Sequence, residues 1–146
     1  VDLLAINMDE AAAGVGLEPE STSPEEVVAA AVRLLSHINP AMLVSITGGA
    51  RGNWCWDGKK LTHRPVFPAK VESTAGAGDA HLAGILSGLA AGLNLDAAQE
   101  LAGLVAALTV TSPHTIHDGL DRRSLRAFAE TSGATLSGPA LQLLAT

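Results

Sequence analysis

The chain has 146 residues, a size within one domain, and its net charge of −6 argues against a nucleic-acid or anionic-membrane surface. Hydrophobic residues make up 47%, enough for a packed core, and no basic run is longer than Arg122-Arg123. The single cysteine, Cys55, excludes an internal disulfide, and no Cys/His spacing fits a zinc pattern, so a reducing cytoplasmic location is expected.

Val1-Asp2-Leu3-Leu4-Ala5-Ile6 reads as a buried parallel strand ending at Asn7, followed by a short helix from Asp9 to Gly14, stopped by Gly14 and Gly16. The chain opens inside this strand pattern with no initiator Met and is expected to be a fragment. Ser23-Pro24-Glu25-Glu26 combines an N-cap, proline at the first helical position and acids in the first turn. Val27, Ala31, Leu34, Leu35 and Ile38 supply the apolar face of a helix to about Ile38. Met42 to Ile46 is a second buried strand, which makes residues 1–47 a βαβ-like crossover.

Asn53-Trp54-Cys55-Trp56, the turn Asp57-Gly58 and the alternating run Leu61 to Val71 predict hairpin-like edge strands, with Pro65 and Pro68 limiting their pairing. Trp54 and Trp56 are expected on opposite faces, one in the core and one at an edge or interface. Three helices should follow: Gly78 to Ala91, closed by Gly92; Asp96 to Thr111, capped by Asp96 or Asn94; and Asp121 to about Thr131. Ala83, Gly84, Gly88, Ala102 and Gly103 would let helices pack closely. The last dozen residues carry a weak pattern. No signal sequence or apolar run of membrane-spanning length is visible, so a soluble protein without membrane contact is expected.

The most informative stretch is Ser73-Thr74-Ala75-Gly76-Ala77-Gly78-Asp79, which leads straight into an apolar helical run. A glycine-rich turn at a helix mouth lets backbone N–H groups converge where the helix dipole is positive, which makes an anion cradle. A carboxylate at its rim, Asp79, fits a base that takes a proton from a hydroxyl. Alone, the same residues would serve equally as an ordinary turn with Asp79 as a cap.

The stretch resembles the D-T-x-G-A-G-D signature of the ribokinase-like (PfkB) carbohydrate kinases. Asn7-Met8-Asp9-Glu10 is similar to the family's N-x-x-E motif, and Thr47-Gly48-Gly49-Ala50-Arg51-Gly52 to its T-x-G-x-x-G, both in the expected order. The resemblance runs from Val1 to roughly Ser124. It implies a three-layer α/β/α Rossmann-like fold with a mostly parallel sheet, here as a partial domain: residues 1–146 as the C-terminal, nucleotide-binding part, without the N-terminal half that carries substrate and lid. It also implies transfer of the γ-phosphate of ATP to an alcohol of a sugar or nucleoside. Asp79 would be the general base, with the amides of Gly76, Ala77 and Gly78 as the anion hole. Asn7, Thr47, Gly49 and Gly52 would hold the nucleotide, and Glu10 would organise Mg2+ and its waters. Glu10 without this context reads as a solvated first-turn acid, and the turn as an ordinary strand-to-hairpin connection.

Two positions depart from the family pattern. Ser73 stands where its first Asp would be, and the expectation of potassium activation falls with it. Gly103 stands where a helix beside the nucleotide base often has Asn, which leaves Thr109 or His114 to line that pocket. The isolated chain is expected to bind nucleotide and turn over poorly, and any homodimer would form through the missing half. A non-catalytic nucleotide-binding module is the rival reading. A nicotinamide-dinucleotide domain ranks last, because no G-x-G-x-x-G follows the first strand.

Overall fold

The computed structural model describes residues 2–145, and Val1, where the opening strand was predicted to start, lies outside them. The chain divides into two compact units, Val1–Pro65 and Val66–Thr146.

The first unit runs β1 (Leu3–Asn7), α1 (Met8–Val15), α2 (Pro24–Ile38), β2 (Leu43–Thr47), a 3-10 turn (Gly49–Arg51), β3 (Asn53–Trp56) and β4 (Leu61–Arg64). The strands lie in the order β1-β2-β3-β4. β1 and β2 pair in parallel, joined by the α1–α2 crossover, whereas β2–β3 and β3–β4 are antiparallel. The sheet expected to be mostly parallel is therefore mixed in this stretch. A tight turn can only return a strand antiparallel, and a parallel partner needs a long crossover, of which the unit has one. At the β3–β4 turn the Asp57 carboxylate accepts from the Lys59 and Lys60 amides at 2.8 and 2.7 Å, and these bonds lower its pKa. β4 ends at Arg64, well short of Val71, because Pro65 has no N–H to offer a ladder.

Both α1 and α2 start with reciprocal caps. Ser23 Oγ accepts from the Glu26 amide while the Glu26 carboxylate accepts from Ser23 N and Oγ, which holds its pKa down. α1 continues through Gly14 and stops at Gly16, whose left-handed φ of 69° lets its N–H reach the Ala12 and Ala13 carbonyls. The two helices bury Met8, Ala11, Val27, Val28 and Ala31 with Val44, Ile46 and Trp54. Trp56 packs against the same cluster, so the two tryptophans do not face opposite ways. Residues two apart on a strand share a face, and the register sets Trp54 beside Ile46 and Trp56 beside Val44.

The second unit is helical: α3 (Ala77–Ala90), α4 (Leu95–Thr109), α5 (Arg122–Ser132) and α6 (Gly138–Ala145). Small residues set the α3–α4 seam, since a Cβ at Gly84 would lie 2.5 Å from Ala102 Cα and one at Gly88 2.9 Å from Ala98 Cβ. Asn94, rather than Asp96, caps α4: its Oδ1 accepts from the Ala97 amide at 2.9 Å. Asp121 caps α5 in the same way through the Ser124 amide. α6 was not anticipated. Buried Glu100 of α4 accepts from the amide and hydroxyl of Ser137, at 2.8 and 2.6 Å, and so ties the start of α6 to the unit's core of Leu101, Leu104, Leu125 and Leu144.

Candidate active site

In the first unit, five of the sequence-selected residues gather at the C-terminal ends of the two parallel strands. Asn7 closes β1 and Thr47 closes β2, and the two are Cα partners. Asn7 is also the N-cap of α1: its Oδ1 accepts from the Glu10 amide at 2.8 Å, and its own N–H donates to Glu10 Oε2 at 2.9 Å. The N-x-x-E spacing is thus a capping box, which satisfies two of the helix's orphan donors and holds an exposed carboxylate beside the strand ends.

Past Thr47 the chain folds into a turn closed by a bond from Gly48 N to Gly52 O at 2.8 Å. Gly52, at φ 92°, has no room for a side chain, because a Cβ would meet the Arg64 carbonyl oxygen at 2.2 Å. Gly49 differs. It needs glycine for its φ of 59°, yet nothing lies within 4 Å of where its Cβ would be. That side of the turn is open to a ligand's approach.

In the second unit, the cradle sequence is anchored where the Glu72 and Ser73 amides donate to the Val110 carbonyl, at 2.8 and 3.3 Å. The Ser73 hydroxyl accepts from the Ala75 amide at 3.2 Å, so the residue that departs from the family pattern shapes its own loop. Gly76 is the N-cap of α3 at φ 81°, and no side chain caps this helix. The turn closes through Ala77 N to Thr74 O at 3.3 Å and Ala80 N to Gly76 O at 2.9 Å, bonds that leave the Gly78 and Asp79 N–H groups unclaimed. A Cβ at Gly78 would meet nothing within 4 Å, and Asp79 is exposed in the first helical turn. Open amides, positive dipole and an accessible carboxylate thus coincide at one helix end.

Thr115 belongs to this site and was not singled out from the sequence. A Cβ at Gly76 would come 2.2 Å from its carbonyl oxygen, so the segment that also carries exposed His114 lies against the cradle. No local pattern announces a contact across 39 residues. Gly103 is half-buried on α4. The buried Thr109 hydroxyl donates to the Val105 carbonyl at 2.8 Å within its own helix. His81, two residues after Asp79, is only 3% exposed with Nε2 unpartnered, and burial pushes its pKa down to about 4. It is a neutral core residue, not a second base beside Asp79.

The donor set at the start of α3 suits a phosphate: free amides, a helix N-terminus, and a Gly78 whose missing side chain leaves space. Among the described residues no three His, Cys, Asp or Glu side chains cluster as a metal cage. A lone exposed carboxylate such as Glu10 suits a hydrated magnesium ion carried by phosphates. None of the described helices is long and apolar enough to cross a membrane.

These units carry the α/β, ribokinase-like fold. Phosphofructokinase-2 from Escherichia coli, solved in complex with potassium, superposes with a TM-score of 0.75 at 20% identity, over 91% of this chain and 41% of that one. Ribokinase from Arabidopsis thaliana, complexed with ribose and ATP, gives 0.72 at 24% identity, over 88% and 40%. The chain belongs to the pfkB family of carbohydrate kinases, whose family model matches residues 1–122. The fructoselysine 6-kinase of Shigella flexneri is 32% identical over 91 residues, which cover 62% of this chain and 35% of that enzyme. The chain thus spans well under half the length of these relatives.

Proposed function

We propose that the chain is the C-terminal, nucleotide-binding part of a kinase that transfers the γ-phosphate of ATP to an alcohol of a sugar or sugar derivative. The acceptor class follows the carbohydrate-kinase family and the fructoselysine 6-kinase relative. A nucleoside alcohol is the alternative acceptor. One observation carries the reading: α3 begins without a side-chain cap, on a left-handed glycine, with an open Gly78 and an exposed Asp79 in its first turn.

In this reading Asp79 accepts the acceptor hydroxyl's proton as its oxygen attacks the γ-phosphorus. The bond from that phosphorus to the β-phosphate oxygen breaks, and ADP leaves. The Gly76 and Gly78 amides hold the charge that builds on the transferred group, whereas the Ala77 amide, assigned to the same hole from the sequence, is engaged by the Thr74 carbonyl. Asn7, Thr47, Gly49 and Gly52 hold the nucleotide, while Gly103 and exposed His114 belong to its base pocket; the buried Thr109 hydroxyl, assigned there from the sequence, is spent on the Val105 carbonyl. Magnesium, when bound, neutralises phosphate charge, and Glu10 is the residue that would steady its water shell.

The test is phosphate transfer from ATP to a panel of sugars and nucleosides by the complete kinase, beside its Asp79→Asn variant. Acceptor-dependent turnover that falls ~10²–10⁴-fold in the variant, with nucleotide binding kept, supports the assignment. ATP binding without turnover would favour a non-catalytic module, a reading to which Ser73 and Gly103 lend support.

A further inference from the structure

The Thr47–Gly52 turn is built against a layer of side chains that lies outside its motif. Gly48 sits under the indole of Trp54, so closely that a Cβ there would be 2.7 Å from Cζ3. That indole packs on the imidazole of His63 in β4, with ring centroids 4.5 Å apart and planes tilted by 32°. His63 Nε2 lies 2.9 Å from the Arg51 carbonyl oxygen. A carbonyl only accepts, so Nε2 carries the proton and donates. The same nitrogen would stand 2.9 Å from a Cβ at Gly52.

Fixing the Arg51 carbonyl fixes the planar Arg51–Gly52 peptide. The N–H of that peptide donates to Gly49 O at 3.1 Å, and the Gly52 carbonyl accepts from Gly48 N at 2.8 Å. One imidazole therefore acts directly on the peptide whose N–H donates to Gly49 O, and next to the Gly48–Gly52 closure, from a neighbouring strand and without touching the turn's open side at Gly49; the Arg51 N–H to Gly48 O bond, at 3.2 Å, belongs to the preceding peptide.

We infer that His63 is a positioning residue for nucleotide binding, tethering the Arg51 carbonyl so that the Thr47–Gly52 turn presents its open face in a fixed shape. This rests on the reading of that turn as a nucleotide-holding element. The tether has chemical requirements that a mere packing role lacks: a planar group with an N–H at the Nε2 position. Glutamine meets them and alanine does not.

The experiment compares the chain with its His63→Ala and His63→Gln variants by amide hydrogen exchange at Gly48 and by ATP titration. In His63→Ala, exchange at Gly48 should accelerate roughly fivefold or more while Val44 and Ile46 hold their rates, and ATP should bind about fivefold more weakly, the worth of one modest hydrogen bond. His63→Gln should restore both. Unchanged Gly48 exchange in His63→Ala, or failure of glutamine to rescue it, overturns the inference. Should the alanine variant unfold, the glutamine variant decides alone, by whether Gly48 exchanges at the unsubstituted rate. Absence of ATP binding by the unsubstituted chain would instead strike the nucleotide reading, and the exchange measurement, which needs no ligand, keeps the two failures apart.

Discussion

Asn7 and Thr47 are Cα partners on the last rung of the parallel β1–β2 pair. That rung sets the spacing of two motifs forty residues apart, because each begins where its strand ends. Asn7 passes directly into α1 as its N-cap, and Thr47 into the Gly48–Gly52 turn. Ligands of open α/β sheets bind outside the carboxyl ends of the strands, where such a rung puts side chains from both.

The capping box and the magnesium role of Glu10 can be separated. Glutamine keeps an oxygen that accepts the Asn7 amide, so Glu10→Gln should leave stability near that of the unsubstituted chain while weakening the magnesium dependence of ATP binding. Asn7→Ala removes the acceptor for the Glu10 amide and should cost about 1 kcal/mol of stability. Urea unfolding and ATP titration with and without magnesium check both outcomes.

Gly76 and Gly78 should respond in opposite ways to alanine. At Gly76 the left-handed backbone costs roughly 1–2 kcal/mol, and contact with the Thr115 carbonyl adds to it, so Gly76→Ala should be clearly less stable. At Gly78 the space is empty and the residue is helical, so Gly78→Ala should keep its stability or gain up to about 1 kcal/mol. Its ATP affinity should nevertheless fall, because the new methyl occupies the cradle. Thermal unfolding run beside ATP titration reads the two effects independently.

Buried His81 makes the fold sensitive to acid. Its folded pKa of about 4 lies below the ordinary 6.5, so between these values the unfolded chain binds a proton that the folded one refuses. Stability is intact above pH 6.5 and is lost as pH falls towards 4, by roughly 2 kcal/mol at pH 5. His81→Leu should remove that share of the slope. Urea unfolding of both chains at pH 7 and pH 5 checks it, and equal losses in the two would contradict the account.

Much of this was legible from local pattern. Ser23-Pro24-Glu25-Glu26 announced α2 because its start signal is complete within four residues, and the observed helix is Pro24–Ile38. Gly76 marked the cradle because a left-handed turn needs glycine, and Gly78 because a helix mouth without a Cβ stays open. What escaped depends on tertiary contact or on a misapplied period. α6 is held by Glu100 reaching Ser137 across 37 residues, and Thr115 is pressed on Gly76 from another loop. The Asn7–Glu10 pair followed the capping-box spacing but was read as a kinase motif, or for Glu10 as a solvated first-turn acid, and not as a reciprocal cap. The two tryptophans share a face because strand side chains repeat every second residue, so an i, i+2 pair belongs together.

The most direct test is calorimetric titration of the 146-residue chain with ATP, set against Gly78→Val. The account predicts saturable binding to the unsubstituted chain and its loss in the variant, with both remaining folded by circular dichroism. Equal binding by the two would place the nucleotide elsewhere and contradict the cradle.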